Sequence, residues 1–201
     1  MNSHGDLRNQ KFGTSTVGFP YGLERDDAVA FANSNTNFAR LISEDAATDK
    51  SPIVIVGAAH VLLARAEAAS LGWSAEDVAT LYNDAIDASW VQWDVYSLGA
   101  ITTYKANADV NLAGGDVAKK IATQQWLSWY PNGTQGWSVW RKTGYPALTP
   151  APNQPLSIPR RISYGVNEPQ LNPENYAVAA AGYTGTDGEN SQFARIWWDK
   201  P

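Results

Sequence analysis

Apolar residues recur at helical spacing in three stretches of the chain. The first covers residues 53–71, the second follows Ser74–Asp77, and the third follows Asp116. Apolar positions three and four residues apart are typical of a helix with one buried face. Because the turn Gly72-Trp73-Ser74 is very short, the first two helices are predicted to pack as an antiparallel hairpin, the unit of tetratricopeptide-like arrays. The third helix is predicted to end before Pro131-Asn132-Gly133.

Capping residues mark the ends of these helices. Pro52 stands at the predicted entrance of the first helix, and Gly72 stands where a left-handed cap would end it. Ser74 supplies a capping oxygen for the second helix and is followed by Asp77 three residues on, a near-match to the capping box. Asp116 is predicted to cap the third helix, and a further short turn of helix is predicted over residues 137–141.

The rest of the chain has the composition of irregular structure. Residues 1–50 are rich in Asn, Ser, Thr, Gly and Asp, and residues 96–115 are a polar interruption, so both are predicted to be mostly loop. The prolines of residues 146–201 predict a coat without regular helix, packed over the helices through the aromatic anchors Tyr164, Tyr176, Phe193, Trp197 and Trp198. The predicted fold is mostly α, in one domain: a loop-rich segment over 1–50, a tetratricopeptide-like helical core over 51–145 and a proline-rich irregular coat over 146–201.

Composition and charge exclude several partners and sites. The net charge is −5, with 17% charged residues and no cysteine. Nucleic-acid binding depends on clustered Lys and Arg, so nucleic acid is rejected as a partner. The adjacent basic pairs Lys119-Lys120 and Arg160-Arg161 are interpreted as solvated surface. Without cysteine there is no disulfide and no Cys-based zinc site.

The longest apolar stretch is not a transmembrane span. His60, Arg65 and Glu67 interrupt it, and the Met-Asn-Ser-His start has no apolar signal core. The chain as given is therefore predicted to be soluble, with any lipid anchor lying upstream in a longer precursor.

The sequence shows no pattern typical of catalysis. Its two histidines, His4 and His60, lack the spacing of a zinc site, and His60 is interpreted as a packed or surface residue of the first helix. Asp84 and Asp87 lie on the polar side of the second helix, where solvated charge is expected. The tryptophans of the third helix and of residues 137–141 are interpreted as core rather than as a sugar platform. We therefore predict no catalytic residue, no metal site and no cofactor.

Seven segments, in order, resemble the C-terminal part of SusD/RagB-like proteins. The resemblance extends from about Pro52 to the end of the chain. The segments are Val61–Ala69, Leu81–Ser89, Ile121–Trp126, Trp137–Pro146, Ile158–Ile162, Leu171–Tyr176 and Trp197–Lys200.

This resemblance implies a SusD-like helical fold and a lipoprotein on the outer, cell-surface side of the outer membrane. Members of the family bind oligosaccharides, or in some cases peptides, without cleaving them, and a SusC-like TonB-dependent transporter is their partner. Full members are longer and carry an N-terminal lipid-bearing cysteine. The chain is therefore interpreted as a fragment, or as an unusual short member, that would reach the membrane only through an anchor outside it.

Two aromatic residues are the candidate ligand-binding residues. Tyr96 and Tyr104 lie in the polar segment predicted to be loop, and aromatic rings stack on sugar faces. Two other functions stay open at this point. One is a tetratricopeptide-type module that binds a protein partner, and the other is a glycoside hydrolase fragment in which two distant acids form a catalytic pair.

Overall fold

The computed structural model describes residues 4–152 and 157–199. Within these residues the chain forms helices, and its β-type pairings are isolated bridges, which confirms the predicted mostly α fold. Of the segments quoted above, residues 1–3, residues 153–156 of the proline-rich coat and Lys200 lie outside the described ranges. The chain divides into two compact units, Met1–Pro146 and Ala147–Pro201. The division falls beside the predicted end of the helical core, while the single-domain organisation stays a prediction.

Seven helices of the described residues lie in the first unit. They are α1 (Asn9–Phe12), α2 (Arg25–Ser34), α3 (Ala58–Ser70), α4 (Val78–Gln92), α5 (Leu98–Ala106), α6 (Val117–Ser128) and α7 (Gly133–Thr143). The predicted helices correspond to α3, α4 and α6, and the predicted short turn over 137–141 is part of the longer α7. None of the described helices is long and apolar enough to cross a membrane.

The turn after α3 has the predicted left-handed glycine. Gly72 has a φ of 75°, and its N–H donates to the Ala69 carbonyl at 3.0 Å, while the Trp73 N–H donates to the Ala68 carbonyl at 2.9 Å. These two bonds satisfy carbonyl groups that the helix itself leaves without a partner. They reverse the chain within a few residues, so that α3 and α4 pack as the predicted antiparallel hairpin.

The caps of α4 and α6 are aspartates. The Asp77 carboxylate accepts from the Thr80 N–H at 2.7 Å, and the Asp116 carboxylate accepts from the Lys119 N–H at 3.0 Å. Asp116 is the cap that the sequence predicted. For α4 the predicted cap Ser74 was wrong, since its hydroxyl donates to Glu76 instead and the helix begins three residues later.

His60 sets the start of α3 at Ala58, later than the predicted residue 53. The Gly57 N–H donates to Nδ1 of His60 at 2.9 Å, and Nε2 hydrogen-bonds the Ser128 carbonyl at 2.9 Å. Because one ring nitrogen accepts and the other donates, these partners hold a single neutral tautomer. The ring also stacks on Trp129, with centroids 3.7 Å apart. His60 is a packed helix residue, as predicted, and joins α3 to α6.

The core of the first unit lies among α3, α4, α5 and α6. Burying these side chains supplies the main favourable free energy of folding. The buried cluster consists of Leu63, Ala66, Leu81, Tyr82, Ala85, Ile86, Trp90, Ile101, Tyr104, Val110 and Ile121.

Helix α5 corrects the prediction of a loop over 96–115. Ile101 and Tyr104, three residues apart, are its buried residues, so its apolar face is one short stripe. Thr102 and Thr103 donate their hydroxyls to the carbonyls four residues earlier, which satisfies these polar groups along the helix surface. Packing of the stripe against the core overrides the weak helix propensity of Gly, Thr and Ile.

An ion pair attaches the N-terminal segment to this core. Asp6 is 1% exposed and Arg8 is 0% exposed. The guanidinium donates from Nε to one Asp6 oxygen at 2.9 Å and from Nη2 to the other at 2.7 Å. This two-point geometry is the strong form of an arginine–carboxylate contact.

Three further side chains complete the hydrogen bonding of Arg8. Its Nη1 donates to the Ser89 hydroxyl of α4 at 3.0 Å, and its Nη2 donates to the Tyr104 hydroxyl of α5 at 3.0 Å and to Oε1 of Gln124 of α6 at 3.1 Å. Burial opposes the charged guanidinium, yet the hydrogen bond to Asp6 and the neighbouring charges keep the pKa of Arg8 above its ordinary value. The N-terminal segment predicted to be mostly loop thus holds a central contact of the fold.

Residues 14–40 form a surface excursion that contains α2. Its ends meet at the Gly13–Leu41 bridge, and three phenylalanines, Phe19, Phe31 and Phe38, pack together with centroids 5.0 to 6.5 Å apart. No residue from 14 to 40 is buried. The excursion therefore holds itself together by local contacts.

The second unit contains two helices, which corrects the prediction that its prolines exclude helix. They are α8 (Glu168–Leu171) and α9 (Pro173–Ala181), with Pro169 and Pro173 in their first turns, where proline is tolerated. Trp197 was predicted to be a packing anchor, but it is 82% exposed. The placement of residues 146–201 as a coat over the helices stays a prediction.

The buried ion pair gives a first testable prediction. Replacing Asp6 with Asn leaves the buried Arg8 charge without its carboxylate, so we expect the free energy of unfolding to fall by about 3–5 kcal/mol. Urea denaturation followed by far-UV circular dichroism measures this loss. Glu76→Gln is the matched control, because it removes the carboxylate of the exposed pair with Arg65, and such pairs contribute little. Equal effects of the two substitutions would contradict the central role of Asp6.

Candidate ligand-binding surface

Tyr96 lies in the turn between α4 and α5. The turn begins at Asp94, which has a φ of 53° and is one of few non-glycine residues with a left-handed backbone. The Asp94 N–H donates to the Val91 carbonyl and the Val95 N–H to the Trp90 carbonyl, both at 3.0 Å. This bonding matches the glycine turn after α3, but an aspartate occupies the left-handed position. Backbone strain of this kind is often found at functional sites.

An aromatic cluster supports the turn from within. Trp93 contacts Phe12 edge to face, with centroids 4.9 Å apart, and Phe12 stacks on Tyr130 at 4.2 Å. The Tyr130 hydroxyl donates to the Phe12 carbonyl at 2.5 Å. Trp93, which precedes Asp94, therefore packs against Phe12 and also against Tyr130, with centroids 6.0 Å apart, so the turn presents Tyr96 from a packed base.

The exposed residues around Tyr96 form an apolar surface. Tyr96 is 48% exposed, Val91 is 62% exposed and Leu98 is 71% exposed. In the antiparallel hairpin, the end of α4 lies beside the start of α3, since Gly57 closely approaches the Gln92 side chain. We call this end of the hairpin, with Ile55, Val56, Val91, Tyr96 and Leu98, the hairpin-end surface. An aromatic ring among aliphatic side chains is suited to the apolar face of a sugar ring.

Tyr104, the second candidate from the sequence, is not on this surface. It lies in α5, is 3% exposed, and its hydroxyl accepts from Gln124 Nε2 at 2.7 Å as well as from Arg8. Burial raises the pKa of Tyr104 to about 12, with the nearby Arg8 charge acting in the opposite direction. The prediction that Tyr104 lies in a loop was wrong. Its buried ring offers no face to a ligand. The ligand role of Tyr96 stays a prediction.

Of the tryptophans of α6 and α7, Trp140 is buried, as predicted, whereas Trp126 and Trp137 are half-buried. Trp140 is 8% exposed, and Trp137 stacks on the Arg141 guanidinium at 3.6 Å. Two indoles are exposed instead. Trp73, in the turn of the hairpin, is 79% exposed, and Trp197, in the second unit, is 82% exposed. Neither tryptophan stands out in the sequence as a candidate ligand-binding residue, because both lie beside helical or apolar segments.

The acidic residues of α4 do not form a catalytic pair. Asp87 lies 2.6 Å from Lys105 Nζ in an ion pair, and Asp84 is exposed. In residues 4–152 and 157–199, no three His, Cys, Asp or Glu side chains lie together in a group that could hold a metal ion.

The two basic pairs differ from their prediction as solvated surface. Lys120 is 8% exposed and donates to the Gly114 carbonyl at 2.7 Å and to the Asn111 carbonyl. Arg161 is 6% exposed. In each pair, one cation therefore points into its own unit.

The fold agrees with that of a known family. The model of the SusD-like family, described as starch-binding and associating with the outer membrane, matches residues 1–165. The chain belongs to this family. A search of the curated proteins finds no match.

Solved structures share the fold. A chitin-binding protein is 28% identical to the chain, with a TM-score of 0.74 over 100% of this chain and 48% of that one. A SusD homologue from Bacteroides thetaiotaomicron is 20% identical, with a TM-score of 0.75 over 99% of this chain and 50% of that one. A homologue from Bacteroides fragilis is 21% identical, with a TM-score of 0.74 over 99% and 50%. The chain spans about half the length of these structures.

The left-handed aspartate gives a second prediction. Glycine adopts this backbone without the steric cost of a side chain, so Asp94→Gly is expected to raise the free energy of unfolding by about 0.5–1 kcal/mol. Urea denaturation is the measurement. Asp84→Gly, at an exposed position inside α4, is the control and should lower stability by about 0.5–1 kcal/mol. A loss of stability in both variants would show that the Asp94 side chain stabilises the turn.

Proposed function

We propose that the protein binds oligosaccharides at the outer membrane and holds them for uptake. Membership of the SusD-like family supports this proposal, since the family is described as starch-binding and associating with the outer membrane. One observation links this proposal to a particular residue. The exposed Tyr96 ring lies on the packed turn of the hairpin-end surface. Stacking on such a ring is a common way for a protein to bind a sugar without changing it.

Two classes of glycan are the candidate ligands. The family description names starch, an α-linked glucan, and one similar structure is named a chitin-binding protein. Both polymers present apolar sugar faces to an aromatic ring. Chitin oligosaccharides also carry acetamido groups, which add an apolar methyl that the aliphatic residues of the hairpin-end surface, such as Val91 and Leu98, would contact.

The proposed partner is a SusC-like TonB-dependent transporter. A shallow surface site captures a ligand but supplies no energy for its transport, so a binding protein of this kind needs a transporter beside it. In this proposal, a lipid anchor attaches the protein to the outer membrane.

Binding is proposed to occur without catalysis. The acids singled out on α4 are directed to an ion pair or to solvent, an arrangement unlike the opposed carboxylates of a glycosidase. Incubation of maltoheptaose or chitohexaose with the protein is expected to release no reducing sugar. Release that disappears on mutation of a single acidic residue would support the hydrolase alternative instead.

Replacing Tyr96 with Ala tests the ligand site. We expect Tyr96→Ala to weaken binding of maltoheptaose or chitohexaose by about tenfold, because the stacking surface is lost. Isothermal titration calorimetry of the 201-residue chain with each oligosaccharide measures the change and identifies the preferred glycan class.

Two variants control for other causes. Trp73→Ala removes a ring that is more exposed than Tyr96 and lies at the opposite end of the hairpin, so it should leave binding unchanged. Tyr104→Phe removes only the buried hydroxyl, so it should lower stability by about 1–3 kcal/mol and leave binding unchanged. Wild-type affinity in Tyr96→Ala, together with a loss in Trp73→Ala, would move the site to the hairpin turn.

A protein partner is the second candidate function, and one observation favours it. Ile53 and Ile55 are 91% and 81% exposed in the segment before α3, and exposed apolar runs are typical of protein interfaces. Under this alternative, Ile53→Asp, outside the hairpin-end surface, would abolish capture of the transporter in a pull-down assay and leave glycan binding intact. Tyr96→Ala would have the reverse effect if the glycan site is separate.

A further inference from the structure

Arg161 is a buried cation with an incomplete set of partners. Only 6% of the residue is exposed. Its Nη1 donates to Asn190 Oδ1 and to the Ser191 carbonyl, both at 3.0 Å. None of the described carboxylates pairs with it, because Asp199, the buried acid of the second unit, is paired with Arg160 and Arg195. Burying a charge without a counter-ion is costly.

The N–H groups of Arg161 that lack an acceptor lie along one edge of the guanidinium. Arg8 presents Nε and Nη2 to the two oxygens of Asp6, and Arg160 presents the same two nitrogens to the two oxygens of Asp199. In the part of the chain that the structure describes, the Nε and Nη2 groups of Arg161 have no acceptor. This is the edge that matches a carboxylate at two points.

Tyrosine rings surround the guanidinium. Its central carbon lies 4.3 Å from the ring centroid of Tyr183 and 4.9 Å from that of Tyr164. Tyr176 contacts Tyr164 edge to face at 6.2 Å. Tyr164 is 39% exposed, so the cluster reaches the surface at this ring. A cation between aromatic rings favours a ligand that combines an anionic group with an apolar face.

The backbone around Asn190 fixes this arrangement. Asn190 has a φ of 56°, and its side-chain oxygen accepts from the Tyr164 N–H at 2.9 Å as well as from Arg161. Ser191 is 0% exposed, and its N–H donates to the Tyr183 carbonyl at 2.8 Å. Arg161 and its two rings are therefore tied together before any ligand arrives, as a binding site requires.

We propose that Arg161, between Tyr164 and Tyr183, is the anchor of a carboxylate-binding site in the second unit. The Nε and Nη2 groups donate to the two oxygens of the carboxylate, and the Tyr164 ring contacts the body of the ligand. The carboxylate belongs to an acidic sugar, such as a hexuronate unit, or to the C-terminus of a peptide. This site consists of residues of the second unit, and the proposal does not depend on the function proposed for Tyr96.

The test uses paired charged and neutral probes on the 201-residue chain. Trigalacturonate and the tripeptide Gly-Gly-Phe are titrated by calorimetry beside the trigalacturonate methyl ester and the tripeptide amide, which lack the carboxylates. We expect one of the acids to bind and its neutral partner to bind at least about tenfold more weakly. The acid that binds identifies the source of the carboxylate. Equal binding of acid and neutral probe, or binding of neither acid, would overturn the proposal.

Two variants assign the binding to Arg161. Arg161→Met removes the charge, and Arg161→Lys keeps the charge over the tyrosines but loses the two-point edge. Both are expected to lose at least about tenfold in affinity for the acid. Arg195→Met is the matched control and should bind normally, because Asp199 keeps its contact with Arg160. Normal binding by Arg161→Lys would refute the two-point contact.

One measurement needs no variant and so covers the case in which these substitutions unfold the protein. The Nε–H signal of Arg161 in the ¹H–¹⁵N spectrum of the wild-type chain should shift on addition of the acid, while the Nε–H signal of Arg8, already bonded to Asp6, should stay in place. A shift equally large with inorganic phosphate would contradict the carboxylate class. An unchanged Arg161 signal at a saturating concentration of acid would place the ligand elsewhere.

Discussion

The contact between Arg8 and Asp6 determines how the first unit is assembled. A buried guanidinium needs hydrogen-bond acceptors, and here one carboxylate and three polar side chains accept from its three nitrogens, from the N-terminal segment and from α4, α5 and α6. A shift of any of these helices would leave a charged group without a partner, and the cost of that is large in a low-dielectric interior. The network therefore sets the relative positions of the helices, while the apolar side chains around it supply most of the stabilisation.

Local signals predicted the hairpin and the third helix well. The spacing of apolar residues located α3, α4 and α6, and Gly72 and Asp116 have the predicted cap roles, because such patterns act within one or two turns. The start of α3 was misplaced since it depends on a ring, His60, that is held by a distant carbonyl. Helix α5 was missed because two inward residues make too short a stripe to stand out, and long-range packing is invisible to a periodicity argument.

The candidate sites were harder to infer for the same reason. Tyr96 and Tyr104 look alike in sequence, but the intervening helix turns one toward solvent and the other toward Arg8. Arg160 and Arg161 are neighbours, yet only the first meets Asp199. The pairing of one arginine with the Asp199 carboxylate depends on a contact between residues 39 positions apart in the chain. No local sequence pattern encodes such a contact. The family resemblance gave the class of ligand, whereas burial and pairing distinguish the individual side chains.

The excursion at residues 14–40 has a consequence for divergence among related proteins. Its two ends are bridged at Gly13 and Leu41, and none of its residues is buried, so the helices beneath gain little from its sequence. Insertions, deletions and substitutions there are tolerated far more easily than in the helices. This part of the surface can therefore diverge among related proteins while the helical scaffold stays unchanged. Such divergence would change which molecules the protein contacts first.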